Sequence, residues 1–505
     1  MASKTKTFSM FATLVLCAFI ASAHANNLSV KHVALRHEVP GSHVMVRLDV
    51  SWENSWRNDL AGAGQVAPFN YDATWLFVKF STDGGTTWRH ATLSASSAEH
   101  TIGNDNGVAA QIQSVPDGKG AFLFRAQNGS GTNMWSDVQL KWNYSVDGLS
   151  GITTSTIVNV LALEMVYVPA GNFFVGEQSP SPINGQFEKG TSGAPFEITS
   201  EAALTLGGGS ATSLGNNNAQ GMAHLDDFND TVSKALPDAF PKGHAAFYIM
   251  KSEITQGQYV DFLNLLTSAQ ASRRNISSVA TYQDFRGTIS GVHPLFAASA
   301  NERACNFLSW LDGAAYADWA GLRPMTELEY EKAARGNQAG VSGEYAWGNA
   351  AITRQTSHSG VDGSGAETAS PASANANFDS GINGPVRAGI YANTSNANRV
   401  QAGASYYGVM ELSGNVWERV VTLANSIGRN FVGTHGDGEL SNSTGAEGTA
   451  NVAAWPGTNA LGSGLRGGAW KDEAKLLRLA DRACAATPDA QRINHYGFRA
   501  VRTAP

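Results

Sequence analysis

The sequence predicts an α+β protein in which an all-β, sandwich-like segment over residues 27–158 precedes a mixed domain over residues 161–505. Three observations carry this. Val44, Val46, Leu48 and Val50 alternate with Met45, Arg47 and Asp49, the period of a half-buried strand. The run Trp75–Phe80, the turn residues Asp83-Gly84-Gly85 and a second run from Thr87 to His90 read as a hairpin. Capped helix signals come only after residue 250: Thr255 ahead of Gln256–Leu266, and Thr326 with Glu329 three residues on.

The N-terminus reads as an export signal over residues 1–25. Lys4 and Lys6 precede an apolar run from Phe11 to Ile20, and Ala23-His24-Ala25 is a small-x-small cleavage site. That run is too short for an ordinary membrane span, and no later stretch is long and apolar enough. Leu16 precedes Cys17 where a lipid-attachment site wants a small residue, so cleavage rather than lipidation is expected. The expected location is secreted, periplasmic or cell-surface. The chain of 505 residues carries a formal net charge of −7, which gives no electrostatic reason to bind nucleic acid or anionic membrane. The two cysteines left after cleavage, Cys305 and Cys484, either pair or remain free; the sequence leaves both open.

Within the first segment, further strands are expected at Ala121–Gln127 and Val138–Tyr144. Trp52, Trp56, Trp75, Trp88, Trp135 and Trp142 all fall here. Core packing is the favoured reading, over a sugar-binding platform, because aromatic rings fill sandwich cores. The second segment opens with the strand Met165–Val168. Residues 177–243, rich in Gly, Ser, Asn and Ala, read as an insertion or long surface loop. A strand at Phe247–Met250 follows, then helices at 256–266, at about 304–319, and from Thr326.

Several segments in order resemble the formylglycine-generating-enzyme (sulfatase-modifying-factor) family. They are Met165–Gly171, Glu253–Tyr259, Ala315–Gly336, Tyr345–Asn349, Gly408–Glu418, Arg466–Trp470 and Gly497-Phe498-Arg499. The resemblance implies that family's fold, a modified C-type-lectin-like α+β unit, and does not extend to residues 27–158. Family enzymes oxidise a substrate cysteine with two copper-binding thiolates that follow a Gly-Gly-Ser segment. Here that segment is Gly467-Gly468-Ala469, and no cysteine stands between Trp470 and Ala483. Asp472 and Ala474 occupy the region where thiols are needed, and neither offers the soft sulfur that copper(I) wants, so copper is not expected. The family's disulfide positions carry Ala317 with Ala500 and Ala334 with Leu479. A related iron-dependent branch needs a histidine cluster; His32, His37 and His43, spread along a β segment, do not supply a facial site.

By the same resemblance, calcium is the expected cofactor. One site would use Glu411, Gly414, Val416 and Glu418, with carbonyls from the Gly and Val and a carboxylate from Glu418. A second would use Asn377, Phe378 and Asp379. Lectin-like relatives bind ligands between the Gly-Gly-Ser/Ala-Trp segment and the final Gly-Phe-Arg. In that stretch Asp472, Asp481, Arg482, Arg492, Asn494 and His495 are the candidate ligand-binding residues, and the expected partner is an extracellular protein or glycan. Three functions follow: a secreted non-catalytic binding or structural protein, which the missing thiols favour; an enzyme of the family with altered oxidative or metal-dependent chemistry; and a surface or filament subunit that self-assembles.

Overall fold

The computed structural model describes residues 25–59, 70–178, 183–216, 225–392 and 398–505; the expected export signal, except Ala25, lies outside them. The chain is strand-rich with few helices, and one twelve-stranded sheet organises it. Along its main path the order is 323–324, 500–503, 247–250, 157–168, 70–81, 43–58, 129–142 and 101–104.

The strand Ile157–Val168 is the hinge of this arrangement. It pairs antiparallel with 70–81 from Ser81↔Ile157 to Tyr71↔Tyr167. Its last residues also pair with Phe247–Met250, from Phe247↔Val168 to Met250↔Met165. The sequence boundary at 158–161 therefore falls inside a strand, and the two segments share one sheet. Both faces of that strand are apolar because both are covered. Leu76, Val78, Phe80, Val158 and Val160 pack against Val46, Leu48, Trp135 and Leu140. On the opposite face Trp75, Phe77, Leu163 and Met165 meet Phe262, Tyr316 and Trp319 of the helices. Such strands read as continuous hydrophobic runs rather than alternating ones. Trp52, Trp75, Trp135 and Trp142 are fully buried, with Trp52 and Trp135 edge to face at 5.1 Å.

Three of the helices illustrate how caps set boundaries. Thr255 and Gln258 form a capping box for Gln256–Asn264, and Thr326 and Glu329 for Glu327–Arg335. Glu329 also takes the Arg323 guanidinium at 2.6 and 2.9 Å, so one carboxylate fixes the helix start and the edge strand before it. The helix expected from about 304 begins instead at Trp310. Ser309 and Asp312 cap it, while Phe307 sits at φ 61°, outside helical space.

Residues 183–216 and 225–243 form a four-stranded sheet ordered 187–189, 214–216, 204–207 and 233–236. Gly207 turns the chain at φ 63°, where a Cβ would stand 2.5 Å from the Asn229 carbonyl. The Lys242 ammonium closes this unit from within, donating to the carbonyls of Pro237, Glu201 and Phe240 at 2.7–3.0 Å. Among the described residues, no helix is long and apolar enough to cross a membrane.

Candidate functional site

The loop Gly408–Glu418 is held by hydrogen bonds to the segments around it. Glu411, Gly414 and Asn415 all have positive φ (55°, 97° and 63°). A Cβ at Gly414 would lie 2.7 Å from the Asn377 carbonyl, so only glycine fits. Asn415 ties the loop to its surroundings: its backbone N–H donates to Asn377 O, its Oδ1 accepts from Val386 N at 2.8 Å, and its Nδ2 donates to Glu253. Gly414 N donates to Gly467 O, and Trp470 N to Asn415 O. The loop thereby holds the Gly467–Trp470 segment.

This folding leaves oxygens over. Among the described residues the carbonyls of Gly414 and Val416 accept no backbone hydrogen bond. Glu418 is fully buried; one oxygen accepts from Arg499 Nε at 2.9 Å, and Oε2 has no partner. Glu411 accepts from Gly389 N through Oε1, and its Oε2 is also unpartnered. Glu253 Oε2 is a third such atom. Burial pushes the Glu411 carboxyl up to about 7. Burial, with the Glu411 charge, raises Glu253 well above the carboxylate range. Buried acids in excess of their cations favour a proton or a metal ion. Hard oxygen donors of this kind suit calcium.

The second expected set is differently disposed. Asn377 is buried, its carbonyl taken by Asn415 N and its Oδ1 by Ser380. Phe378 packs with Tyr345, Trp347 and Leu477. Asp379 points outward and accepts from Arg354 Nη1 through both its carbonyl and its carboxylate. These oxygens are engaged, unlike those at 411–418.

Ala469 is buried with Val416, Trp417 and Trp470, and a single cysteine, Cys484, packs against that cluster. Asp472 folds back on it, accepting from Ala469 N at 3.0 Å, and Ala474 opens a 3-10 turn. Both cysteines are free. Cys305 is buried in the main core, and burial raises its thiol well above the usual value. Burial pushes Cys484 up to about 11. Neither is a ready thiolate. Ala317 and Ala500 lie together in one core cluster, and Ala334 and Leu479 in another, so apolar contact fills both positions that carry disulfides in the resembled family.

The candidate ligand-binding residues divide. Arg482 is wholly buried: it donates to Glu327 at 2.8 Å and Asp226 at 3.2 Å and lies 4.0 Å over the Phe187 ring. Asp481 is buried and accepts from Asn184 and from Ala483 N. Arg492 grips Asp312 through two nitrogens at 2.8 Å. His495 is buried, with Nδ1 against Asn494 Oδ1. Asp472 and Asn494 are half-buried.

Beside them runs an aromatic row with no signal in the sequence. Tyr282 meets Phe307 at 5.3 Å, and Phe285 meets Trp470 at 5.6 Å. Phe285, Arg286 and Phe307 hold positive φ (52°, 67° and 61°), which bulky residues seldom adopt. Hydrogen bonds fix them: Asn306 Nδ2 donates to Phe285 O, and Gln256 Nε2 and Arg303 Nη1 donate to Arg286 O. Tyr282, Phe285, Ile493, Asn494 and Asp472 remain partly open to solvent. Strain held in place by surrounding contacts is characteristic of binding sites. Nearby, the ligand atoms of His358, Asp362 and Glu367 lie within 4.8 Å of one another. Arg286 and Arg303 already neutralise those acids, which leaves little attraction for a cation.

Residues 158–504 match the sequence profile of a family described as the sulfatase-modifying factor enzyme 1-like domain. A 42-residue stretch is 57% identical to the formylglycine-generating enzyme of Streptomyces coelicolor; it covers 8% of this chain and only 13% of that enzyme. Among solved structures, Treponema denticola variable protein 1 aligns with 68% of this chain and 96% of that one, at 14% identity and a TM-score of 0.32.

Proposed function

The chain belongs to the sulfatase-modifying factor enzyme 1-like family, and from that premise we propose that it is an exported, non-catalytic binding protein whose scaffold is braced by calcium. One observation carries the reading: among the described residues the cluster that holds Ala469 has a single cysteine packed against it, Cys484, and no second thiol to complete a pair. Copper(I) oxidation of a cysteine needs soft thiolate ligands. Cys484 is the nearest thiol in sequence, and its raised pKa keeps it protonated at neutral pH.

What the family domain retains is its recognition surface. Tyr282, Phe285, Ile493 and Asn494 offer partly open aromatic, aliphatic and amide groups on a rigid backbone, with buried Trp470 behind Phe285. Rigid aromatic side chains bind at small entropic cost. Arg482, Arg492 and Asp481 serve the fold rather than the ligand, because their polar atoms are spent internally. The ligand class proposed is an extracellular peptide or glycan with an apolar or ring face.

Calcium fits the donors at 411–418: Gly414 and Val416 would hold it by their carbonyls and Glu418 and Glu411 by carboxylate oxygens that lack other partners. When bound it would supply structural charge neutralisation and nothing redox. The Asn377–Asp379 set is not part of this proposal.

The test is copper titration of the reduced protein followed by incubation with a cysteine-containing peptide. No stoichiometric copper and no formylglycine are expected. Copper at one equivalent with peptide oxidation overturns the reading.

A further inference from the structure

Where the first strands meet the family domain, three side chains converge in a way the binding function does not require. Glu164 and Lys251 are buried, with Lys251 Nζ 2.5 Å from Glu164 Oε1. Asn26 Nδ2 lies 3.0 Å from both oxygens of the same carboxylate. An amine and a carboxamide thus share one buried carboxyl group.

The surroundings hold each member in place. The Lys251 backbone pairs with Glu164 O through its N–H, and its carbonyl accepts from Met410 N and Arg499 Nη1. The Trp56 ring covers the ammonium at 4.7 Å and is itself anchored by Asn70 at 2.6 Å. The neighbouring acid, Asp72, accepts hydrogen bonds from Trp52, Ser55 and Trp56 N, while the Lys251 hydrogen bond goes to Glu164. Asn54 Nδ2 donates to Asn26 Oδ1 at 3.3 Å, which polarises the amide carbonyl.

We propose that Lys251 and Asn26 join in an intramolecular isopeptide bond, formed by the protein itself with Glu164 as the proton-transfer group. Glu164 accepts a proton from the Lys251 ammonium, a transfer that low polarity favours because it removes two buried charges. The free amine attacks Asn26 Cγ; Asn54 Nδ2 stabilises the developing oxyanion. The tetrahedral centre collapses with loss of the amide nitrogen, which takes the proton held by Glu164 and departs as ammonia, and the Lys251 nitrogen gives its surplus proton to the freed Glu164 carboxylate. One C–N bond forms and one breaks; no oxidant or cofactor takes part. Burial pushes Glu164 up to about 7, which suits it to accept and return a proton near neutrality. Their hydrogen bonds to one Glu164 carboxylate hold the amine and the amide together, which raises their effective concentration.

The bond would tie the start of the mature chain to the residue following the 247–250 strand. Among the described residues both cysteines are free, so it would be a covalent cross-link that they do not supply. It would keep the first strands attached after a cut within them.

The test is the denatured mass of the purified mature protein, with a tryptic map. Expected is a mass lower by one ammonia, and a branched peptide joining Asn26 to Lys251. Glu164→Gln is expected at full mass with both peptides unlinked. Asn26→Ser, which removes only a partly exposed side chain, tests the same point without disturbing the buried acid, and is also expected at full mass. Wild-type protein yielding unlinked Asn26 and Lys251 peptides overturns the proposal. So does a mature chain that begins after Asn26. A linked Glu164→Gln protein overturns the role given to Glu164.

Discussion

Replacing Arg482 with methionine separates a ligand-binding arginine from a structural one. Arg482 has no exposed surface. Its Nε donates to Glu327 Oε2 at 2.8 Å, and its Nη1 to Gly185 O at 2.9 Å and Asp226 Oδ2 at 3.2 Å. Methionine fills much of the volume but leaves Asp226 with the Asn216 amide, and Glu327 with Arg466, Thr422 and Leu423 N. Breaking one side of a buried ion pair costs about 3–5 kcal/mol, whereas an exposed pair is worth about 0–1 kcal/mol. Arg482→Met is therefore expected to lose about 3–5 kcal/mol in urea unfolding followed by tryptophan fluorescence. Adding Asp226→Asn, which removes the stranded charge, should recover part of that loss. A loss under about 1 kcal/mol, with no recovery in the double variant, would refute the assignment and return Arg482 to the candidate binding residues.

Calcium should raise the melting temperature, by an amount equivalent to about 2.7 kcal/mol at a hundredfold excess over its dissociation constant, and EDTA should reverse it. Glu418→Gln should abolish this response; an unchanged response places the ion elsewhere. Glu302 is buried with both carboxylate oxygens unpartnered, and burial pushes it up to about 8. Its folded pKa is raised, so its contribution is fully present below the ordinary carboxylate pKa of 4.5 and is lost as pH rises to about 8. Glu302→Gln should flatten the decline in stability over that window and leave the protein more stable than wild type at pH 8, by a few kcal/mol; identical pH profiles would count against it. Finally, a thiol reagent should react slowly with native protein and find both mature thiols after unfolding without reductant. Absence of thiols in the unfolded state would mean the cysteines are paired.

Much of the architecture was legible because local signals and tertiary structure agree. The capping boxes at Thr255 and Thr326 set helix starts that the structure keeps. The alternation at Val44–Val50 gives the buried face of the 43–58 strand. The 157–168 strand was harder. A strand covered on both faces carries no alternation, and its pairing with 70–81 is set by residues far away in sequence. The start at Trp310 was missed because Ser309 and Asp312 are an unobtrusive pair, while the apolar run from Ala304 extends the helical pattern backward. At the site, Gly414 and Glu418 were legible from their motif. The row Tyr282–Phe307–Phe285–Trp470 was not: its residues come from separate loops, and a positive φ at Phe285 leaves no mark on composition. Polarity likewise misled at Arg482, since a polar residue in a loop-rich stretch reads as displayed until its buried partners are known.

The buried acids sort into two kinds, and the difference bears on what the domain has kept. Glu327, Glu331 and Asp312 are saturated by Arg466, Arg482, Arg335, Arg274 and Arg492. Each guanidinium there supplies planar donors that match a carboxylate, so the charges cancel and the oxygens are satisfied. Glu253, Glu411 and Glu418 instead gather around Arg499, with Arg387 also acting on Glu411, and each keeps an oxygen without a hydrogen bond. Buried acids that keep oxygens without hydrogen bonds are not a self-sufficient arrangement in a dry interior, because every uncompensated charge carries a desolvation cost of about several kcal/mol. Packing alone would have removed such a cluster in favour of apolar residues, as it filled the positions of Ala317 with Ala500 and of Ala334 with Leu479. The proposed calcium would bring to this cluster the positive charge it lacks, whereas a copper(I) centre would need a pair of thiolates and Cys484 is the single cysteine packed against the neighbouring Ala469 cluster.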